Sequence, residues 1–249
     1  MVHRRTRTWI ITGLLVLILS LLGACSTVKD KTVNKTSADV DANNAESQQV
    51  DTEHNDTEFY AITLNTEDRR VSGLISVRYD SEQAEPLIAE GEGIEITHDE
   101  SSVSAKIGDS FKGEIVLGRK INTLTCMGGF HFNLELPAVD NFNSTLLGAC
   151  DGRIKIDASS MKIAIAGGSK LDFAGSTESL ELQVEGGTIV NAEELTANSV
   201  VATLQGAGEL TVYATDKLEA TLEGFGRIAY AGNPGEVEKN VEGLGIIEA

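Results

Sequence analysis

Basic residues are scarce in this sequence: 20 Lys and Arg stand against 38 Asp and Glu, a formal charge of −18. That balance disfavours nucleic acid and anionic lipid headgroups as partners and is compatible with cations, basic proteins or neutral glycans. Histidine is sparse as well. His3, His54, His98 and His131 are scattered, and none has metal-ligand spacing with another His or Cys. The Gly-x-Ser-x-Gly turn of a serine hydrolase is missing. Three prolines, 25 glycines and few aromatics do not suggest a helical bundle. No apolar run is long enough to span a bilayer. The longest, Trp9 to Leu22, has 14 residues, against the roughly 20 needed to cross a ~30 Å hydrocarbon core as a helix.

What that run does fit is the apolar region of a secretory signal. Arg4, Arg5 and Arg7 precede it, and the small residues Gly23 and Ala24 follow it. Leu22-Gly-Ala-Cys25 resembles the lipobox of bacterial lipoproteins. The resemblance implies a diacylglycerol on the Cys25 thiol, cleavage before Cys25 and acylation of the new amino group, palmitate included. Two or three acyl chains, at about 0.8 kcal/mol per buried CH₂, anchor a protein stably without a transmembrane helix. Ser26, where an Asp tends to mean inner-membrane retention, points to the outer membrane. Loss of residues 1–24 removes three arginines and leaves 17 basic against 38 acidic residues, a formal −21.

Residues 25–58 read as the acylated cysteine and a polar, flexible tether, because Ser, Thr, Asn, Asp, Gln and Lys without apolar periodicity cannot bury enough surface to fold. Its r.m.s. span is about 30 Å, taking ~5–6 Å times the square root of the residue number. Asp39-Val-Asp41-Ala-Asn43 begins like a calcium loop, but Asn44 stands in place of the turn glycine and Val50 in place of the closing Glu. Residues 59–249 are long enough to bury a core as one domain.

Within that domain the sequence repeats. Phe142 to Gly148, Met161 to Gly167, Leu180 to Gly186, Val200 to Gly206, Leu218 to Gly224 and Val237 to Gly243 share one pattern, an apolar residue six and two places before each glycine. The glycines lie 19, 19, 20, 18 and 19 apart, and Gly129, with Met127 two places before it, extends the series backwards by another 19. Each copy alternates apolar and polar residues, the mark of a strand with one buried face. A second alternating strand follows each glycine, as in Phe130/Phe132/Leu134/Leu136, Leu171/Phe173, Leu210/Val212 and Ile228/Tyr230. One unit is strand, glycine corner, strand, turn. Nineteen residues are too few for a helix-bearing crossover and suit one coil of an all-β, parallel β-helix (solenoid) with coils stacked about 4.8 Å apart. An antiparallel meander is the alternative. It would need two-residue Asn-Gly or Asp-Gly turns, and Asp151-Gly152 is the one such pair.

The regular coils occupy 123–249. Residues 59–122 read as irregular first coils or a cap, with strands at Val71 to Tyr79, Gly93 to Ile96, Val103 to Ile107 and Ile115 to Leu117. Lys239 falls where Ile163, Leu182, Ala202 and Ala220 point inward. That marks the last coil as open to water, with an inward charge that blunts its edge against endless stacking.

The last third carries a more specific likeness. Gly224-Phe-Gly-Arg-Ile-Ala-Tyr-Ala-Gly232-Asn-Pro234, then Val237, Lys239 and Val241-Glu-Gly243-Leu-Gly245-Ile246, resembles the ending of the auto-transporter adhesin head family, the GIN-domain family. It holds well from Phe142 to the end and less well over Phe59 to Asn141. Earlier copies depart from the Gly-x-Gly pattern at Cys150-Asp-Gly152 and Gly167-Gly-Ser169. The resemblance implies a right-handed β-helix on a bacterial envelope protein. It supplies neither catalytic residues nor a cofactor.

Candidate sites are few. Glu185, Gln205, Glu223 and Glu242 form one outward column, and Glu181, Val201, Glu219 and Glu238 a second. Glu185, Glu223 and Glu242 are weak calcium candidates, with a solvated acidic face as the alternative. Cys126 and Cys150 fall out of phase, so a disulfide between them is not expected. Arg153 and Arg227 follow corner glycines several coils apart and do not form the basic face that an acidic-polysaccharide enzyme would need. The expected function is a non-catalytic, membrane-anchored envelope lipoprotein that presents a sheet face to a glycan or protein. The alternatives are a structural or assembly role through homo-oligomers and, third, a polysaccharide-active enzyme.

Overall fold

A computed structural model describes residues 60–66, 74–83, 87–90, 93–99, 101–108, 111 and 113–249. All of them belong to one compact unit, Glu53–Ala249. The leader, Cys25 and the tether read from the sequence lie outside the described residues.

Every element is a strand. The N-terminal part holds β1 (Tyr60–Asn65), β2 (Leu74–Tyr79), β3 (Leu87–Glu90), β4 (Ile94–His98), β5 (Ser102–Ile107) and β6 (Gly113–Leu117). Then follow β7 (Ile121–Gly128), β8 (His131–Glu135), β9 (Val139–Gly148), β10 (Asp151–Lys155), β11 (Ala158–Gly167), β12 (Lys170–Gly186), β13 (Ile189–Gly232) and β14 (Glu236–Glu248). No helix occurs among the described residues, and the chain is a parallel β-solenoid. From β7 onward each coil lays one strand on each of two faces, joined at the glycine corner. β7, β9 and β11 pair in parallel on the first face, and β8, β10 and the start of β12 on the second.

The register is the one the repeat predicts. Phe142 lies against Met161, Met161 against Leu180 and Leu180 against Val200, and Leu218 lies against Val237. Alternation drives this. Leu146, Ile165, Val184, Leu204 and Leu222 form one inward column of fully buried side chains, and truncating such a residue to alanine costs about 2–5 kcal/mol. One core column carries a flaw. Ser144, stacked between Leu124 and Ile163, buries a hydroxyl that has no hydrogen-bond partner.

The corner series ends differently from its sequence reading. Gly128, not Gly129, pairs with Gly148, and its φ is 131°. The adjacent glycines are interchangeable in a pattern, but the core is not: Leu124 and Cys126 point inward and are buried, while Met127 is part-exposed. Counting back from these two residues places the corner at Gly128.

The N-terminal strands fold out of chain order. β1 lies between β5 and β7, and β2 lies between β6 and β8, all in parallel. The coil made by β1 and β2 is therefore inserted between two later ones. β1 and β3 were not read from the sequence. β3 pairs antiparallel with β6, and β4 antiparallel with β5, so these two short strands close that end of the solenoid. Asp99 shapes the β4–β5 hairpin by accepting the backbone N–H groups of Ser101 and Ser102 at 2.8 Å each, and those bonds hold its carboxyl below the usual range. Strands β1 to β6 thus supply both irregular coils and the closure of that end.

At the opposite end β14 pairs with β13 and, among the described residues, with no other strand. Lys239 stacks on Ala220, donates to the carbonyl of Ile247 at 3.3 Å and sits 4.6 Å from the centre of the Tyr230 ring.

Gly167 has a φ of 135°, and a Cβ there would fall onto the carbonyl oxygen of Gly148. A Cβ on neighbouring Gly168 would meet nothing closer than 3.8 Å. Gly167→Ala is therefore expected to destabilise by about 3 kcal/mol or more, and Gly168→Ala by no more than about 0.5 kcal/mol. Urea unfolding of the two variants checks this; equal losses would contradict the corner geometry.

Candidate functional site

The first corner explains the cysteines. Cys150, Ser169 and Thr188 hold the same place on successive coils, two residues after the corner glycine. The Cys150 thiol reaches the carbonyl of Gly128 at 3.9 Å, the Ser169 hydroxyl donates to Gly148 at 3.4 Å, and the Thr188 hydroxyl donates to Gly167 at 3.1 Å. Cys150 thus acts as one rung of a hydrogen-bonding ladder. In later coils the same place is taken by Gly208, Gly226 and Gly245. The departure from Gly-x-Gly is therefore Gly148-Ala-Cys150, two residues earlier than the sequence suggested. Cys126 lies one coil away in the inward column next to Leu146. Both thiols are free and buried. Burial pushes the Cys150 thiol from 9.0 to about 11 and Cys126 well above the ordinary value.

The acidic columns stack as the repeat requires. Glu223 lies beside Glu242, while Glu185 is separated from Glu223 by Gln205, whose amide donates to Glu223 at 3.2 Å. The second column runs Lys162, Glu181, Val201, and then Glu219 and Glu238; Lys162 pairs with Glu181 at 2.9 Å. No group of three His, Cys, Asp or Glu able to hold a metal comes together among the described residues.

The two arginines singled out in the sequence tie coils together. Arg153 pairs with Glu194 at 2.6 Å. Arg227 bridges Glu209 at 2.8 Å and Glu248 at 2.7 Å, clamping the last three coils. These pairs are well exposed, and each contributes less than about 1 kcal/mol.

Concavity appears elsewhere, at the second corner, where each coil passes from the second face back to the first. A solvent-open groove of about 650 Å³ runs there along the solenoid axis. Its residues come from the same turn of four successive coils. Val139, Ala158, Thr177 and Ala197 align. Their outward neighbours Asp140, Ser159, Glu178 and Asn198 therefore form a polar column in the groove, with a step of about 4.8 Å. Asp157, Ser176 and Thr196 form the adjacent column, in which the Ser176 hydroxyl donates to Asp157 at 2.7 Å. Lys120 is the lone base in the lining. No histidine lines the groove. Among the described residues His131 lies on β8, 3.6 Å from Asp151, and His98 is exposed on β4. A lining of hydroxyls, carboxylates, one amide and one ammonium is equipped to hydrogen-bond a polar ligand. The sequence reading passed over this groove, although its signal is there. Asp140, Ser159, Glu178 and Asn198 recur at 19, 19 and 20 residues, in step with the glycines.

Residues 90–234 match a protein family described as "putative auto-transporter adhesin, head GIN domain". Among curated proteins nothing matches the chain. Among solved structures, a putative adhesin from Bacteroides fragilis superposes with a TM-score of 0.65 at 20% identity, covering 77% of this chain and 93% of that one. A putative lipid binding protein from Parabacteroides distasonis gives 0.53 at 16% identity, covering 76% and 93%. A putative adhesin from the same organism gives 0.53 at 16%, covering 76% and 92%. These likenesses establish the fold.

The two buried thiols generate a prediction. Without reductant, neither reacts with iodoacetamide at pH 8 in the folded chain, and both react after denaturation; mass spectrometry counts the adducts. A native chain that shows no thiol after unfolding would contradict the ladder role of Cys150. Because the Cys150 thiol holds its proton more tightly when folded, the stability tied to it is intact below pH 9 and is lost as the pH rises from about 9 through about 11, and Cys126 acts in the same direction.

Proposed function

Since the chain belongs to the auto-transporter adhesin head GIN-domain family, we propose that it is a non-catalytic binding module held on the bacterial envelope by a lipid on Cys25. The ligand it engages is a neutral glycan, taken along the second-corner groove. The observation that carries this reading is the stacked column Asp140, Ser159, Glu178 and Asn198, which repeats one set of hydrogen-bonding groups at a fixed step. A repeating ligand meets such a site unit by unit, and weak contacts add along the groove. The name of the lipid binding neighbour asks for an apolar slot, whereas these lining groups suit hydroxyl partners.

The anchor supports the same reading. The lipobox-like Leu22-Gly-Ala-Cys25 supports a lipid anchor and Ser26 after it an outer-membrane location, and the acidic charge of the mature chain keeps the module off anionic lipid surfaces.

Two experiments test this. Cys25→Ala is expected to abolish incorporation of labelled palmitate and to move the protein from the membrane to the soluble fraction; unchanged labelling sinks the anchor. Against a panel of neutral β-linked glycans, Ser159→Tyr in the groove is expected to weaken binding at least tenfold with the melting temperature held. Val201→Tyr, in the second acidic column and outside the groove lining, is expected to leave it unchanged. Equal behaviour of the two variants would remove the groove from the account.

A further inference from the structure

The two ends of the solenoid are built differently. At one end the stack closes on β3 and β4, which are 4 and 5 residues long and antiparallel to their neighbours. Short edge strands are a usual means of preventing further pairing. At the other end lies β14, 13 residues of parallel strand paired with β13 on one side. Large exposed apolar side chains gather on the same end. Val237 is 40% exposed, Val241 42%, Ile246 50%, Leu244 79% and, one coil back beneath Leu244, Phe225 68%. Just three others, Leu74, Ile189 and Val201, occur among the described residues. An apolar cluster confined to one end marks an interaction surface.

We propose that β14 is a strand-addition site for an extended segment of a partner protein that carries apolar residues four apart, each followed by a basic residue. Among the described residues no strand pairs with the outer edge of β14, which presents a row of backbone N–H and C=O groups. Val237 and Val241 continue the inward columns of Leu218 and Leu222, so an added strand covers them with apolar residues four apart. The outward positions next to them carry Glu238 and Glu242, neither held in a hydrogen bond or ion pair, so the added strand places Lys or Arg there. Directly opposed side chains on adjacent strands interact in this way. Lys239 does not stand in the way. Its ammonium is turned back onto the Ile247 carbonyl and the Tyr230 ring of its own end, and a small residue opposite leaves it there. A second copy of this chain fits poorly, because its β14 brings Glu236, Glu238, Glu242 and Glu248 against the single Lys239. Because every contact in the regular stack is parallel, the added strand reads apolar, basic, small, polar, apolar, basic. This assignment is independent of the groove and of its ligand.

The probe is a labelled synthetic peptide containing Val-Lys-Ser-Thr-Val-Lys, titrated against the full chain by fluorescence anisotropy. Its control carries Glu in place of both Lys. The lysine peptide is expected to bind at least tenfold more tightly than the control at low salt and to slow amide exchange in β14. Val241→Asp is expected to weaken it at least tenfold. Glu238→Lys with Glu242→Lys is expected to invert the preference toward the glutamate peptide, a result that a merely unfolded end cannot give. Equal binding of the two peptides, no binding of either up to millimolar concentration, or protection outside β14 would overturn the proposal. So would a concentration-dependent dimer lost on Val241→Asp, which would assign the edge to a second copy.

Discussion

One contact sets the form of this molecule: the stacking of corner glycines on one another's carbonyl oxygens. Gly128, Gly148, Gly167, Gly186, Gly206, Gly224 and Gly243 all hold φ between 108° and 138°. In this series from Gly148 on, an added Cβ would strike the carbonyl of the glycine one coil earlier. The positive φ turns the chain from one face to the other, and the missing side chain lets coils sit at strand spacing. Once the corners are stacked, every residue has a fixed partner in the next coil. The inward columns, the acidic columns and the groove all follow from that registration.

This explains what could be read from the sequence. From Phe142 onward, glycine and apolar positions recur together, and local pattern and global register agree. The predicted neighbours Phe142 and Met161, Met161 and Leu180, Leu180 and Val200, and Gly224 and Gly243 are observed ones. Where two glycines adjoin, as at Gly128 and Gly129, the pattern alone misplaces the corner by one residue. Only the alternation of Leu124 and Cys126 decides it. The insertion of β1 and β2 between later coils could not be read at all, since each strand alternates correctly whatever coil it joins. The groove was legible but unread. Its column shares the glycine period, yet outward polar residues look like ordinary solvated surface until the turn beneath them is seen to be concave.

The same registration divides the molecule into parts with different tasks. The core columns and the Cys150, Ser169 and Thr188 rungs hold the coils together. Exposed pairs such as Lys155 with Glu135 at 2.7 Å and Lys217 with Glu236 at 2.7 Å follow the stacking and add little to it. The proposed functions rest on features that packing does not require: the lipobox-like Cys25, the polar second corner and the outer edge of β14. A family of adhesin heads has use for such a frame, because a repeating surface meets a repeating or extended ligand along its length.

The stacked-coil account is tested most directly by removing one coil. Deleting residues 168–186 joins Gly167 to Gly187 and brings the strand ending at Gly206 onto β11. The shortened chain is predicted to unfold in one cooperative urea transition with a smaller denaturant slope, in proportion to the surface removed. Deleting residues 168–177, about half a coil, is predicted to abolish that transition. Loss of cooperative folding on removal of the whole coil, or its survival on removal of half, would contradict the account.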